Sequence, residues 1–201
     1  MRRGLLVGAL TLGLMAQAAE PLRWGADAQG GAPYVFQDPT DPNRLTGFEV
    51  ELATMLGARL GRQAVPVHGP WDRLLELLQR GDFDVALNGI EVADDKRRVV
   101  SLSRPYFAAA EVLTVRRGDA AAPRSPEALR GRKVGTLPGS MAARILERLG
   151  ADVRTYEGGQ DEIYDDLKLG RLDAVLLDEP VARYFGDLDE VLERAPGDYG
   201  V

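Results

Sequence analysis

Residues 71–106 read WDRLLELLQRGDFDVALNGIEVADDKRRVVSLSRPY. Trp71 opens an amphipathic segment in which Leu74, Leu75 and Leu78 share one helical face. Gly81-Asp82 ends that segment, and Phe83-Asp84-Val85-Ala86-Leu87 is short, apolar and strand-like. The chain then turns polar and presents Asn88, Gly89 and Glu91 at the carboxyl end of the expected strand. Open parallel α/β sheets collect small ligands at that edge. The stretch therefore predicts a fold element and a site together.

The same alternation continues on both sides. Upstream, Leu22–Ala26 reads as a first strand ending at Asp27, and the Gly/Pro-rich stretch 29–42 reads as a loop. From 48 to 60, Phe48, Leu52, Leu56 and Leu60 recur every fourth position, predicting a helix that stops at Gly61. Residues 64–67 make a second strand. Downstream, 107–115 crosses into a second region, introduced by Ser125-Pro126. There strands at 133–137, 152–156 and 174–177 alternate with helices at 140–149, 160–169 and from Glu179 onward. Strand–helix alternation of this kind is the α/β class. The two halves share a plan but no sequence repeat.

Composition narrows the function classes. The chain has 201 residues with 25 basic and 31 acidic side chains interspersed, for a net charge of −6. That pattern offers no basic patch for nucleic acid. Cysteine is absent, which removes disulfides, thiolate nucleophiles and zinc-finger sites. His68, the single histidine, cannot build a His-rich metal cluster and reads as surface; no cofactor is called for. Met1-Arg2-Arg3, the apolar run 5–15 and Ala16-Gln17-Ala18 form a signal peptide over 1–18, cleaved before Ala19. The apolar run is too short to span a bilayer comfortably. The mature protein is therefore expected outside the cytoplasm, in the periplasm.

Four phrases in order carry a family resemblance. They are Gly47-Phe48-Glu49-Val50-Glu51-Leu52-Ala53, the Trp71 stretch with Gly81-Asp82-Phe83-Asp84 and Ser103-Arg104-Pro105-Tyr106, Leu129-Arg130-Gly131-Arg132-Lys133-Val134-Gly135, and Gly170-Arg171-Leu172-Asp173-Ala174 followed by Asp178. Together they resemble the extracellular solute-binding proteins of amino-acid ABC transporters, family 3. The resemblance implies a two-lobed, type II periplasmic-binding-protein fold, each lobe a mixed sheet flanked by helices. It places lobe one at 19–107, lobe two at 108–196, and the start of a return crossover at 197–201. In the resembled family the chain continues past a phrase like Tyr199-Gly200-Val201 to complete the first lobe, so a C-terminal truncation is expected here.

The resemblance also assigns roles, and each has a plainer alternative. Asp178 would pair with the ligand ammonium, or cap the helix that begins at Glu179. Lys96 stands where the family has an arginine that grips the α-carboxylate; Arg97 could substitute by a one-residue slip, or the turn could simply be solvated. Ser140 is a natural N-cap whose helix start would receive that carboxylate, with Met141 in place of a common threonine. Trp71 would stack on the aliphatic part of the solute, or be core. Asp27 would receive a polar or cationic side chain, or start a turn. Asn88 and Gly89 form the polar loop. Glu91, in place of a small hydroxyl, would make the pocket acidic and favour a cation, or pair with Lys96. The resemblance thus implies a monomeric, non-enzymatic protein that binds a polar or cationic amino acid and delivers it to a membrane permease. The alternatives are a cyclohexadienyl or arogenate dehydratase on the same scaffold, and a sensing domain fused to a permease or receptor.

Overall fold

The computed structural model describes residues 19–29, 31–157 and 159–186 in full, and 191–200 for the backbone. The expected signal peptide at 1–18 lies outside the described residues. Among those residues, no helix is long and apolar enough to cross a membrane.

The first lobe is built on a parallel three-stranded sheet, β1 (Leu22–Ala26) between β4 (Ala64–His68) and β5 (Val85–Ala86). Parallel strands share one carboxyl edge, so Asp27 after β1 and Asn88 after β5 emerge side by side. The segment expected as a strand over 83–87 pairs only at Val85–Ala86, yet Phe83 and Leu87 are buried all the same. Phe83 lies so close beneath β1 that a Cβ on Gly25 would meet its ring at 2.2 Å. The Trp71 segment begins as one 3-10 turn (Trp71–Arg73) and continues as α2 (Leu74–Arg80). Gly81 ends it in the left-handed region at φ 83°, as its position predicts.

Two expectations need correction. The stretch 29–42 is not simply a loop: β2 (Phe36–Asp38) and β3 (Asp41–Thr46) form an antiparallel hairpin. Asp38 makes the turn by accepting from the Thr40 N–H at 2.8 Å and its hydroxyl at 2.6 Å, so the Pro/Asp/Thr cluster marks a tight turn. In α1 (Phe48–Arg59), the most deeply buried residues are Glu49, Ala53 and Gly57, while Leu60 is exposed. Small residues let this helix sit close to the sheet, where Ala53 packs with Trp24, Ala26, Val35 and Leu87. The leucines of the expected stripe turn sideways, and Leu52 and Leu56 line an apolar groove of about 700 Å³ with Leu75, Leu78 and Leu102, beside β5.

The second lobe holds a mixed sheet in the order β10-β6-β9-β7-β8. Strands β7 (Lys133–Thr136), β8 (Asp152–Thr155) and β9 (Ala174–Asp178) are parallel. Strands β6 (Ala108–Thr114) and β10 (Val191–Gly200) run against each other, bringing Gly200 back beside Ala108, where the chain enters this lobe. Residues 197–200, expected to begin the return crossover, thus form the end of β10. Helices α4 (Met141–Leu149), α5 (Gln160–Lys168) and α6 (Glu179–Phe185) cover the sheet. Ile163, Leu167, Val175 and Leu177 form one core, and Leu113, Val134, Leu146 and Leu176 another. The parallel strands again share an edge, carrying the Pro138-Gly139-Ser140 turn and Asp178 toward the first lobe.

Candidate functional site

The two carboxyl edges face each other across a closed cleft. Its central cavity, about 40 Å³, is lined from the first lobe by Tyr34, Trp71, Asn88, Gly89 and Glu91, and from the second by Glu111, Ser140, Gln160 and Asp178. A second cavity of about 20 Å³ shares Gly31, Trp71, Leu137 and Gln160 with the first and reaches Asp27.

The first-lobe side is tied together by hydrogen bonds. Asp27 accepts from the Gln29 N–H at 2.9 Å and the Trp71 N–H at 3.1 Å, anchoring the 3-10 turn. Its own N–H donates to Asn88 Oδ1, and Trp71 Nε1 donates to the Asn88 carbonyl at 2.8 Å. Gly89, at φ 61°, turns its N–H onto the fully buried Glu49 at 3.0 Å. Tyr106 donates its hydroxyl to the same carboxylate. Burial, only partly offset by these donors, pushes Glu49 up to about 7.

The second-lobe side is acidic. Glu111 and Asp178 stand directly opposite each other in the antiparallel β6–β9 pair. Like charges in that arrangement destabilise a sheet. Burial first, and the Glu91 charge against the help of a Tyr34 hydrogen bond, push Asp178 up to about 6. Glu111 is only 2% exposed, and burial plus its acidic neighbours push it well above the usual carboxylate range. Its Oε2 has no hydrogen-bond partner.

Several contacts among the described residues close the lobes. Tyr34 donates its hydroxyl to Asp178. Glu91 bridges the cleft, taking Lys96 Nζ at 2.6 Å on Oε2 and the Met141 N–H at 2.8 Å on Oε1. Arg144 of α4 reaches Asp95 at 2.6 Å, and the Phe36 and Tyr184 rings meet at 5.3 Å.

The structure gathers Trp71, Asn88, Gly89, Glu91, Ser140 and Asp178 around one cavity and places Asp27 in the adjoining one. Lys96 lies in α3 (Asp94–Arg97) and turns inward, its ammonium 5.5 Å over the Trp71 ring, while Arg97 is exposed. Lys96 lines a flanking hollow with Trp71 and Pro138, outside the acidic cavity. Met141 contributes its backbone N–H. Ser140 is the N-cap of α4, its Oγ accepting from the Ala143 N–H at 3.1 Å. Asp178 occupies the N-cap position of α6 but makes no side-chain cap bond; its carboxylate goes to Tyr34 instead. Of the two alternatives for Glu91, the structure shows the pairing with Lys96, at 2.6 Å.

Sequence reasoning missed Tyr34, Glu49, Glu111 and Gln160. Glu111 had a legible signal, a lone carboxylate inside the apolar run Ala108–Thr114. Glu49 had one too, standing at the i, i+4, i+8 spacing with Ala53 and Gly57. Tyr34 had none, because only tertiary folding brings it to Asp178.

Comparisons with known proteins bear on the family and the fold. The family model for bacterial extracellular solute-binding proteins, family 3, matches residues 22–131. The L-cystine-binding protein TcyJ of Escherichia coli K12 is 34% identical over 152 residues, which is 75% of this chain and 56% of that protein. The chain thus spans little more than half of that relative. The lysine/arginine/ornithine-binding periplasmic protein of the same strain is 29% identical over 192 residues, 90% of this chain and 72% of that one. Among solved structures, arginine-bound truncated ArgBP from T. maritima is similar at a TM-score of 0.81 and 28% identity, covering 90% of this chain and 85% of that one. The ancestral amino acid-binding protein AncCDT-1, a precursor of cyclohexadienyl dehydratase, is similar at 0.79 and 29%, covering 90% and 81%. With two α/β lobes, the second built on a mixed sheet, facing strand edges and a match over 22–131, this chain belongs to the bacterial extracellular solute-binding proteins, family 3.

Proposed function

We propose that the cleft binds a polar or cationic amino acid, or a solute of like size and charge, and that the closed form is handed to an ABC permease in the periplasm. The observation that carries this reading is the Glu111–Asp178 pair: two opposed carboxylates, short of partners, in a cavity that both lobes build. A cation between them offsets their repulsion and the cost of burying them. Because the cavity exists only when the lobes meet, such a solute favours closure. The names of the relatives, which bind cystine, histidine, arginine or lysine/arginine/ornithine, support the solute class.

Calorimetric titration of the full-length gene product against lysine, ornithine, arginine, histidine, glutamine, cystine and aspartate tests this. Saturable binding of at least one cationic or polar solute, with none of aspartate, is expected. Indifference to all of them, or a preference for aspartate, would sink the reading. The enzyme alternative predicts turnover of prephenate or arogenate by the same preparation, and none is expected. Export is checked separately, by N-terminal sequencing of periplasmic protein, with Ala19 expected first.

A further inference from the structure

The donors in the cleft that could receive an anion are nearly all used by the protein itself. Lys96 Nζ and the Met141 N–H both hold Glu91. The Ala142 N–H favours the charged form of Glu111, and the Ala143 N–H bonds Ser140 Oγ at 3.1 Å. In the first turn of α4, which would otherwise attract a carboxylate through its free N–H groups, the Met141 and Ala143 N–H groups are thereby taken. The Gly89 N–H is taken by Glu49. Arg144 pairs with Asp95 through Nη1, its Nε and Nη2 are buried without a partner, and it lines neither acidic cavity. Among the described residues lining the central cavity, the side-chain donors left over are the neutral amide nitrogens of Asn88 and Gln160.

The acceptors tell the opposite story. Glu111 Oε2 and Gln160 Oε1 are buried without partners at the central cavity, and Asp178 stands opposite Glu111. The adjoining cavity adds Asp27, Asp72 and Glu157. Between the two acidic ends lie Trp71 and Leu137, which line both cavities. An apolar wall of this kind suits a short methylene chain.

We propose that the solute is a linear amine or guanidine with a positive charge at each end and no carboxylate, because Glu91 occupies the position an anionic group would need. One cationic head lies between Glu111 and Asp178, the methylenes run along Trp71 and Leu137, and the second head faces Asp27 and Glu157. A carboxylate on the solute would have to compete with Glu91 for Lys96 and the Met141 N–H, both of which Glu91 already holds. This inference rests on reading the cleft as the solute site and goes further by naming the chemistry of the solute.

The test compares molecules that differ only by the carboxylate. The full-length gene product is titrated with lysine and 1,5-diaminopentane, ornithine and 1,4-diaminobutane, and arginine and agmatine. At least one amine is expected to bind about tenfold or more tighter than its parent amino acid. It is also expected to bind tighter than the monoamine of equal length. If no amine exceeds its parent by that margin while the amino acids bind, the inference is overturned and the cleft remains the solute site. If no member of any pair binds, this inference falls, and binding of histidine, glutamine or cystine decides the reading beneath it. A Glu91→Gln variant, checked by thermal melt for folding, frees Lys96 and the Met141 N–H. Its preference is expected to move toward the amino acid by about tenfold, and an unchanged preference overturns the role given to Glu91. The wild-type pairs decide the matter even if that variant does not fold.

Discussion

Asp27 and Asp178 occupy matching places in the two lobes. Each follows or ends a parallel strand, and each lines the cleft. Their carboxylates are nevertheless used differently. Asp27 accepts two backbone N–H groups from its own lobe and fixes the Trp71 turn. Asp178 ignores its own helix, accepts a hydroxyl from the opposite lobe, and stands across from Glu111. An acid whose lone pairs are met within its own lobe builds the wall. An acid held apart from such partners, and pushed up to about 6 by burial, keeps capacity for a cation. The first lobe thus shapes the cleft and the second supplies most of its unspent charge.

The widest separation between the two acids should appear in binding. Asp178→Ala removes a partner of a buried cation and is expected to cost about 3 kcal/mol, roughly a hundredfold in Kd by calorimetry. Undiminished affinity would erase the contrast with Asp27.

A comparable effect concerns pH and the buried acids. Glu49 has a folded value of about 7 against an ordinary 4.5, and Asp178 about 6 against 3.8. Both are raised, so the unfolded chain ionises first as pH rises. The stability these groups contribute is full below about pH 4 and is lost through pH 6–7. For Glu49, faced by Tyr106, the Gly89 N–H and Asp178, the change is on the order of 3 kcal/mol. The melting temperature of the empty protein should therefore fall between pH 5 and pH 8. Glu49→Gln should flatten that fall, and a saturating cationic solute should reduce it. A flat profile in the wild type would show that these carboxylates are better solvated than the packing implies.

Asp27→Ala should act mainly on the fold. Losing its hold on the Gln29 and Trp71 N–H groups is expected to lower stability by about 1 kcal/mol in urea unfolding. Its effect on Kd should be smaller than that of Asp178→Ala, and an equal or greater effect would reverse the assignment. The smallest change is expected from Asp95→Ala, which breaks the exposed Arg144 pair across the cleft mouth. Exposed pairs contribute less than about 1 kcal/mol, so the melt should barely move while small-angle scattering of the empty protein shifts toward a more open form.

Much of this molecule is written in local sequence. The strand–helix alternation, the stops at Gly61 and Gly81, the cap at Ser140 and the Asp178 strand end are short-range signals, set by backbone sterics and neighbouring hydrogen bonds, and they survive in the structure nearly residue for residue. What sequence could not decide is how each polar group is spent. Glu91 is read equally well as a free acid or as a partner of Lys96, and only the approach of α4 shows that it takes both Lys96 and the Met141 N–H. Tyr34 meets Asp178 from 144 residues away, and Glu111 faces it only through β6–β9 register. The face of α1 that packs inward was likewise settled by how closely Ala53 and Gly57 let the helix approach the sheet. Periodicity and turns depend on neighbours along the chain, whereas the partner and solvation of a carboxylate depend on neighbours in space.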